Sequence, residues 1–230
     1  PVVLAAKGLH IPVIIHESDM TPGLANKLCI PSATRVCCNF SETLKNLPAE
    51  KAVHTGCPIR HELLSGSKLA GLKLTGFVAD KPVLMIIGGS LGAVKVNNAV
   101  REALPELLKR YQVVHLCGKD HLDESLNRTK GYVQYEYMGT PLKDLFAMAD
   151  IVISRAGANA ICELLALKKP ALLIPLGLKA SRGDQILNAD SYKAKGYSMV
   201  LPEEELSKER LLHDVNELYE NRSQFAHAME

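Results

Sequence analysis

The run Pro82-Val-Leu-Met-Ile-Ile-Gly-Gly-Ser-Leu-Gly-Ala93 constrains the fold more than any other stretch of this chain. Its first six residues are apolar and partly β-branched, which predicts a buried strand. Gly88, Gly89, Ser90 and Gly92 follow at once, and a helical pattern runs from about Ala93 to Lys109. A glycine-rich turn between a buried strand and a helix leaves backbone N–H groups unpaired at the positive end of the helix dipole. Such a turn suits a phosphate or pyrophosphate. Taken alone, the same glycines would serve equally well for a tight turn with close helix–strand packing. The spacing matches neither the dinucleotide fingerprint nor a P-loop, so a nicotinamide or ATP site is not expected.

The rest of the chain repeats the strand-then-helix alternation. Strands are expected at Val13–His16, Val36–Asn39, Ala52–Thr55, Val83–Ile87, Gln112–Leu116, Val133–Tyr137, Ile151–Ser154, Ala171–Pro175 and Ser198–Leu201. Helices are expected at Val2–Leu9, Leu24–Ile30, Val94–Arg110, Leu122–Thr129, Leu142–Ala149, Ala160–Leu167, Gln185–Lys195 and Ser207–Glu220. Apolar strands alternating with helices imply a parallel sheet covered on both faces. Ligands of such sheets lie beyond the carboxyl ends of the strands. The stretch from Ser65 to Lys81 is the one place where composition loosens, with several glycines and lysines and room for a short helix.

Composition narrows the classes. A chain of 230 residues holds one large domain or two small ones. The net charge of +2, with Lys and Arg scattered, gives no footprint for nucleic acid. The longest apolar run, Pro170 to Leu178, is too short to span a bilayer. The six cysteines form no C-x-x-C, and no histidine pair has zinc-finger spacing, so no structural metal is expected. Buried reduced thiols are the expectation for most of the cysteines.

Several loop residues are chemically suggestive. Ser154-Arg-Ala-Gly-Ala-Asn159 follows a strand and opens a helix, a second potential anion nest, with Asn159 as a candidate N-cap. Glu163 falls near the first turn of that helix among apolar neighbours, where a dipole-favoured carboxylate and a ribose-binding carboxylate are both reasonable. Asp184 and Gln185 can bond several hydroxyls at once, though helix capping by Asp184 is the simpler reading. Arg60, closing Gly56-Cys-Pro-Ile-Arg60, fits a phosphate or an exposed surface equally. His16, Glu17 and Asp19 gather at a strand end, and a capping turn over Thr21, Pro22 and Gly23 would not need the first two.

Five strings taken in order carry a resemblance: His16-Glu-Ser-Asp-Met-Thr-Pro-Gly-Leu-Ala-Asn-Lys27, Thr55-Gly-Cys-Pro-Ile-Arg60, Gly88-Gly-Ser-Leu-Gly-Ala93, Ser154-Arg-Ala-Gly-Ala-Asn-Ala-Ile-Cys-Glu163 and Ser181-Arg-Gly-Asp-Gln-Ile-Leu-Asn188. Together they resemble the family 28 glycosyltransferases of bacterial cell-wall synthesis and cover nearly the whole chain. The resemblance implies the GT-B architecture. Residues 60–230 would be a Rossmann-like donor domain, and residues 1–59 the remnant of a second Rossmann-like domain that holds the acceptor. It implies transfer of N-acetylglucosamine from UDP-N-acetylglucosamine to a lipid-linked muramoyl-pentapeptide, at the cytoplasmic face of the bacterial membrane and without a cofactor or metal. By the same resemblance, Arg60 and Ser90 would contact the diphosphate, with the amides of Gly89 to Gly92. The backbone of Met138 and Gly139 would meet the uracil edge, and Ala158 and Asn159 the pyrophosphate or ribose. Glu163 would take the ribose hydroxyls, Asp184 and Gln185 the sugar hydroxyls, and Asp19 would approach from the opposite domain.

Two positions depart from the commonest family spelling, since Asp19 and Asp184 stand where amides are frequent. The family's general base belongs to a segment that would precede Pro1, so the chain is expected to be a fragment that binds donor without turnover. Two alternatives stand beside this reading. A UDP-N-acetylglucosamine 2-epimerase would draw acid/base groups from His16, Glu17 and Asp19. A non-catalytic nucleotide-sugar-binding module would need only Glu163 and the glycine loops.

Overall fold

Two separate stretches of parallel sheet are built by this chain, each from β-branched and aliphatic runs too short to be helices. A computed structural model describes residues 1–89, 92–178 and 183–230. Internal contacts divide these into two units, residues 1–58 with 157–159, and residues 59–156 with 160–230.

The first unit contains α1 (Val2–Gly8), β1 (Ile14–Glu17), α2 (Leu24–Cys29), β2 (Arg35–Cys38) and β3 (Ala52–His54). The strands pair in parallel in the order β1-β2-β3, with Ile15 opposite Val36 and Val36 opposite Ala52. Ala33, Val36, Cys38 and Leu47 form its small buried cluster.

The second unit begins with α3 (Lys68–Thr75), which is capped by the Ser67 hydroxyl accepting from the Ala70 N–H. Then follow β4 (Val83–Ile87), α4 (Val94–Arg110), β5 (Gln112–Leu116), β6 (Tyr132–Tyr135), α5 (Leu142–Met148), β7 (Ile151–Ser154), α6 (Ala158–Ala166), β8 (Ala171–Leu173), α7 (Asp184–Ala194), β9 (Ser198–Val200), α8 (Lys208–Glu220) and α9 (Arg222–Ala228). All its strands are parallel, in the order β6-β5-β4-β7-β8-β9. This is the doubly wound Rossmann order, with its reversal between β4 and β7.

Helix α4 buries Val96, Val100, Ala103, Leu104 and Leu107, a stripe at helical spacing. That stripe packs with Leu211, Val215 and Leu218 of α8 over Leu84, Ile86, Ile151, Ile153 and Leu172 of the sheet. The pleat sends Val83 and Met85 to the other face. There α5 packs on β4 and α3 packs on α5. The α3–α5 approach is close enough that a Cβ on Gly71 would stand 2.3 Å from the Asp144 carbonyl oxygen.

Four expectations need correction. Leu122–Thr129 is not a helix but holds only a single 3₁₀ turn, Glu124–Leu126. Gln134 takes that segment's polar groups: its Nε2 donates to the Asp123 carbonyl and Asn127 Oδ1, and its Oε1 accepts from the Asp123 N–H. Helix α6 starts at Ala158, so Asn159 lies inside it rather than capping it, and Glu163 falls in its second turn. The terminal helix α9 was not expected. Of the six cysteines, Cys38, Cys117 and Cys162 are buried, while Cys29, Cys37 and Cys57 are partly exposed.

Candidate functional site

The carboxyl ends of β4 and β7 flank the point where the strand order reverses, the place at which such sheets open a crevice. The loop after β4 is the glycine turn. Gly89 and Gly92 have φ of +85° and +76°, values that L side chains rarely adopt. The Gly92 N–H donates to the Gly89 carbonyl at 3.0 Å and closes the turn. Helix α4 then begins with no capping side chain and no acid in its first turn. Among the described residues no side chain therefore caps the first-turn N–H groups of this 17-residue helix, just behind the turn. Ser90 lies outside the described residues.

A buried polar chain supports this turn from below. The Asn97 side-chain amide on α4 donates to the Cys117 carbonyl at 2.8 Å. Its Oδ1 must then accept, at 3.0 Å, from His115 Nε2. His115 Nδ1 is left as the acceptor for the Tyr132 hydroxyl at 3.0 Å. His115 is fully buried, and burial, followed by the charge of Arg101, pushes its pKa down to about 3. The imidazole is therefore neutral, in its Nε2–H tautomer. Arg101 donates to the His121 carbonyl and holds the far side of the same loop.

Arg60 and Glu163 meet 103 residues apart in sequence. Arg60 Nε donates to Oε1 at 2.8 Å and Nη2 donates to Oε2 at 3.1 Å, a two-bond fork. The Glu163 hydrogen bond is the main cause that raises the Arg60 pKa. The side chain of Glu163 is 15% exposed against 46% for Arg60. The two residues expected to serve phosphate and ribose thus stand together.

Arg155 donates to the carbonyls of Ile174 and Pro175, at 3.1 and 3.4 Å, and to the Glu203 carboxylate. Lys95 at the start of α4 reaches the other oxygen of Glu203 at 3.2 Å. Burial would raise the Glu203 pKa, but the hydrogen bond from Arg155, then its charge and Lys95, bring it below the ordinary value. This cross-brace joins the loops after β7, β8 and β9. Nothing in the sequence distinguished Arg155 and Glu203 from surface charges, and their partnership spans 48 residues.

Gln185 is partly committed to structure, since its Oε1 accepts from the Leu176 N–H at 3.0 Å. Asp184 opens α7 behind Gly183, which has φ of +87°. Met138 and Gly139 sit in the loop after β6, where the Gly139 carbonyl accepts from the Leu142 N–H and a Cβ on Gly139 would meet only open space.

In the first unit, Glu17 is buried and satisfied. Its carboxylate accepts from the N–H groups of Asp19 and Gly23 and from Asn26 Nδ2, at 2.8–3.0 Å. His16 Nε2 lies 3.0 Å from the Gly56 carbonyl. Both residues therefore have structural work that the sequence did not require of them. Among the described residues, one group could offer three ligands to a metal: His213, Asp214 and Glu217 on α8. Both Asp214 oxygens already accept from Arg210 Nε at 2.9 Å, so a cation there would have to displace a guanidinium.

Comparison with known proteins gives concordant matches. Residues 83–230 match the model of the glycosyltransferase family 28 C-terminal domain. The whole chain is 66% identical to 65% of the UDP-N-acetylglucosamine--N-acetylmuramyl-(pentapeptide) pyrophosphoryl-undecaprenol N-acetylglucosamine transferase of Lachnospira eligens. It is 58% identical over 229 residues to the enzyme of that name from Clostridium botulinum, again spanning 65% of its length. Among solved structures, MurG of Acinetobacter baumannii superposes with a TM-score of 0.73 at 25% identity, over 99% of this chain and 63% of that one. A glycosyltransferase of kitacinnamycin shares the fold, with a TM-score of 0.68 at 16% identity, over 86% of this chain and 49% of its own.

Proposed function

The chain belongs to glycosyltransferase family 28, and from that membership we propose that it carries the donor-binding half of an enzyme of peptidoglycan synthesis. The chain spans about 65% of the length of the curated relatives it matches. Residues 60–230 bind UDP-N-acetylglucosamine in this reading, and residues 1–59 belong to the domain for the lipid-linked muramoyl-pentapeptide. The whole protein works at the cytoplasmic face of the membrane. No described helix is long and apolar enough to cross a membrane.

The observation that carries this proposal is the glycine turn ahead of a 17-residue helix with no cap among the described residues, with the Arg60–Glu163 pair in the same unit. The reaction is an inverting transfer. The acceptor hydroxyl attacks the anomeric carbon from the face opposite UDP, and the bond to the diphosphate oxygen breaks. Negative charge grows on that diphosphate, and in this reading the glycine turn, the α4 dipole and Arg60 stabilise it. Glu163 accepts the ribose hydroxyls, while Asp184 and Gln185 accept and donate to the sugar hydroxyls. Met138 and Gly139 border the base, and Ser90 assists the phosphates.

Calorimetric titration of the chain with UDP-N-acetylglucosamine tests the proposal. Saturable binding that a folded Glu163→Ala variant loses supports it. A parent chain that binds neither UDP-N-acetylglucosamine nor UDP refutes it.

A further inference from the structure

We propose that Arg60 is a positioning residue for the ribose site: its fork fixes the Glu163 carboxylate in the orientation that receives a ribose diol. The inference rests on the donor-domain reading above and adds a role to Arg60 beyond contact with phosphate.

The geometry supports it in three steps. An ionised carboxylate offers about four acceptor positions, two on each oxygen. The Arg60 fork occupies one on each, through Nε and Nη2, and so leaves one on each oxygen for two neighbouring hydroxyls. The third guanidinium nitrogen, Nη1, takes no part in the fork, so one arginine can hold Glu163 and still reach a phosphate oxygen. Second, the backbone of Arg60 is itself anchored. Its carbonyl accepts from the Leu63 N–H at 3.0 Å, and Leu63 is the buried residue of the short 3₁₀ turn His61–Ser65. Third, a glutamate side chain is long and has several rotamers, and one that is free must be ordered when ligand binds. The fork orders it beforehand.

Two other roles would look alike in the unliganded protein. The pair could be a latch that ligand has to break, or Arg60 could serve phosphate alone. They separate in the preference for UDP over 2′-deoxy-UDP, which differ by one ribose hydroxyl. The preference in the parent chain is expected to be about ten- to hundredfold, the loss of one hydrogen bond to a charged group. Calorimetry would be run with both ligands on the parent, Arg60→Ala, Arg60→Lys, Glu163→Ala and the double variant Arg60→Ala/Glu163→Ala. Melting curves check that each variant is folded.

If Arg60 positions Glu163, Arg60→Ala collapses the preference toward one, as Glu163→Ala does, and the double variant shows no further collapse. Arg60→Lys keeps the charge without the fork, so it retains affinity for both ligands better than Arg60→Ala while still losing most of the preference. If Arg60→Ala weakens both ligands equally and keeps the preference, Arg60 serves phosphate alone and the inference is wrong. A rise in affinity would make the pair a latch and also overturn it. A parent that binds UDP without any preference would instead remove Glu163 from the ribose, and a parent that binds neither ligand would remove the donor-domain reading. Should Arg60→Ala not fold, Arg60→Lys alone decides by the same preference.

Discussion

The Cys117 carbonyl oxygen stands 2.3 Å from where a Cβ on Gly92 would be, so the glycine turn after β4 and the loop after β5 fit only without a side chain. Gly92 also has φ of +76°. Gly92→Ala therefore meets both backbone strain and a backbone oxygen that Asn97 holds in place. The expected cost is about 1–3 kcal/mol from the strain alone. The melting temperature should fall by several degrees, and the affinity for UDP should fall further than for a comparably destabilised variant in α8. An unchanged UDP affinity in a folded Gly92→Ala protein would show that the turn does not shape the phosphate site.

The buried imidazole beneath that turn makes a pH prediction. His115 is depressed in the folded state to about 3, against an unfolded value near 6.5. Between those values the unfolded chain binds a proton that the folded chain refuses. The stabilisation is thus fully present above about pH 6.5 and is lost as pH falls toward 3, at up to about 1.4 kcal/mol per pH unit. Urea denaturation at pH 7 and pH 5 should show the parent losing about 2 kcal/mol more than His115→Gln. Equal losses in the two proteins would mean that His115 takes up a proton while folded.

The same residue marks the boundary of what the sequence could reveal. Periodicity located β4, α4, β5 and β7 to the residue, because strong apolar stripes report burial directly. It failed at Leu122–Thr129, where Gln134 on β6 captures the polar groups that a helix would have used internally. The glycines at 88, 89 and 92 were legible as a turn because their type is tied to backbone conformation. His115, Asn97 and Arg155 were not legible, because a histidine or arginine joined to a partner 18 to 48 residues away looks like any other polar residue. Arg60 and Glu163 were recognisable through motif strings, but their direct contact was not, since it joins the start of one unit to the middle of a distant helix.

The brace between Arg155 and Glu203 predicts a different pH response. Glu203 is nearly buried, and the bonds from Arg155 and Lys95 outweigh burial to hold its carboxyl below the ordinary range. Its contribution is therefore present above the unfolded value near 4.5 and lost as pH falls through the lower folded value. Arg155→Met leaves Glu203 with only Lys95, and breaking a buried pair on one side costs about 3–5 kcal/mol. Glu203→Gln/Arg155→Met, which removes both charges, should recover much of that loss. Chemical denaturation of the parent and the two variants checks it, and a double variant no more stable than Arg155→Met would show that the charges are not what the brace contributes.

Glu17 holds a turn of the first unit. Its two oxygens take the N–H groups of Asp19 and Gly23 and the side-chain amide of Asn26, and so fold the segment from Ser18 to Gly23 back onto the end of β1. A general acid or base would need an oxygen that can lose its protein partners, whereas these oxygens hold the turn that carries Asp19. Glu17→Gln is nearly isosteric but replaces one acceptor oxygen with an NH2 group, leaving at least one buried donor facing another donor. The expected cost is about 1–3 kcal/mol for that unsatisfied group. Because the damage is local, hydrogen exchange should read it best: the amides of Asp19 and Gly23 should exchange faster, while those of β4 and β5 in the second unit keep their protection. Unchanged exchange at Asp19 and Gly23 in Glu17→Gln would mean that the carboxylate does not hold the turn, and would return Glu17 to the set of residues available for chemistry.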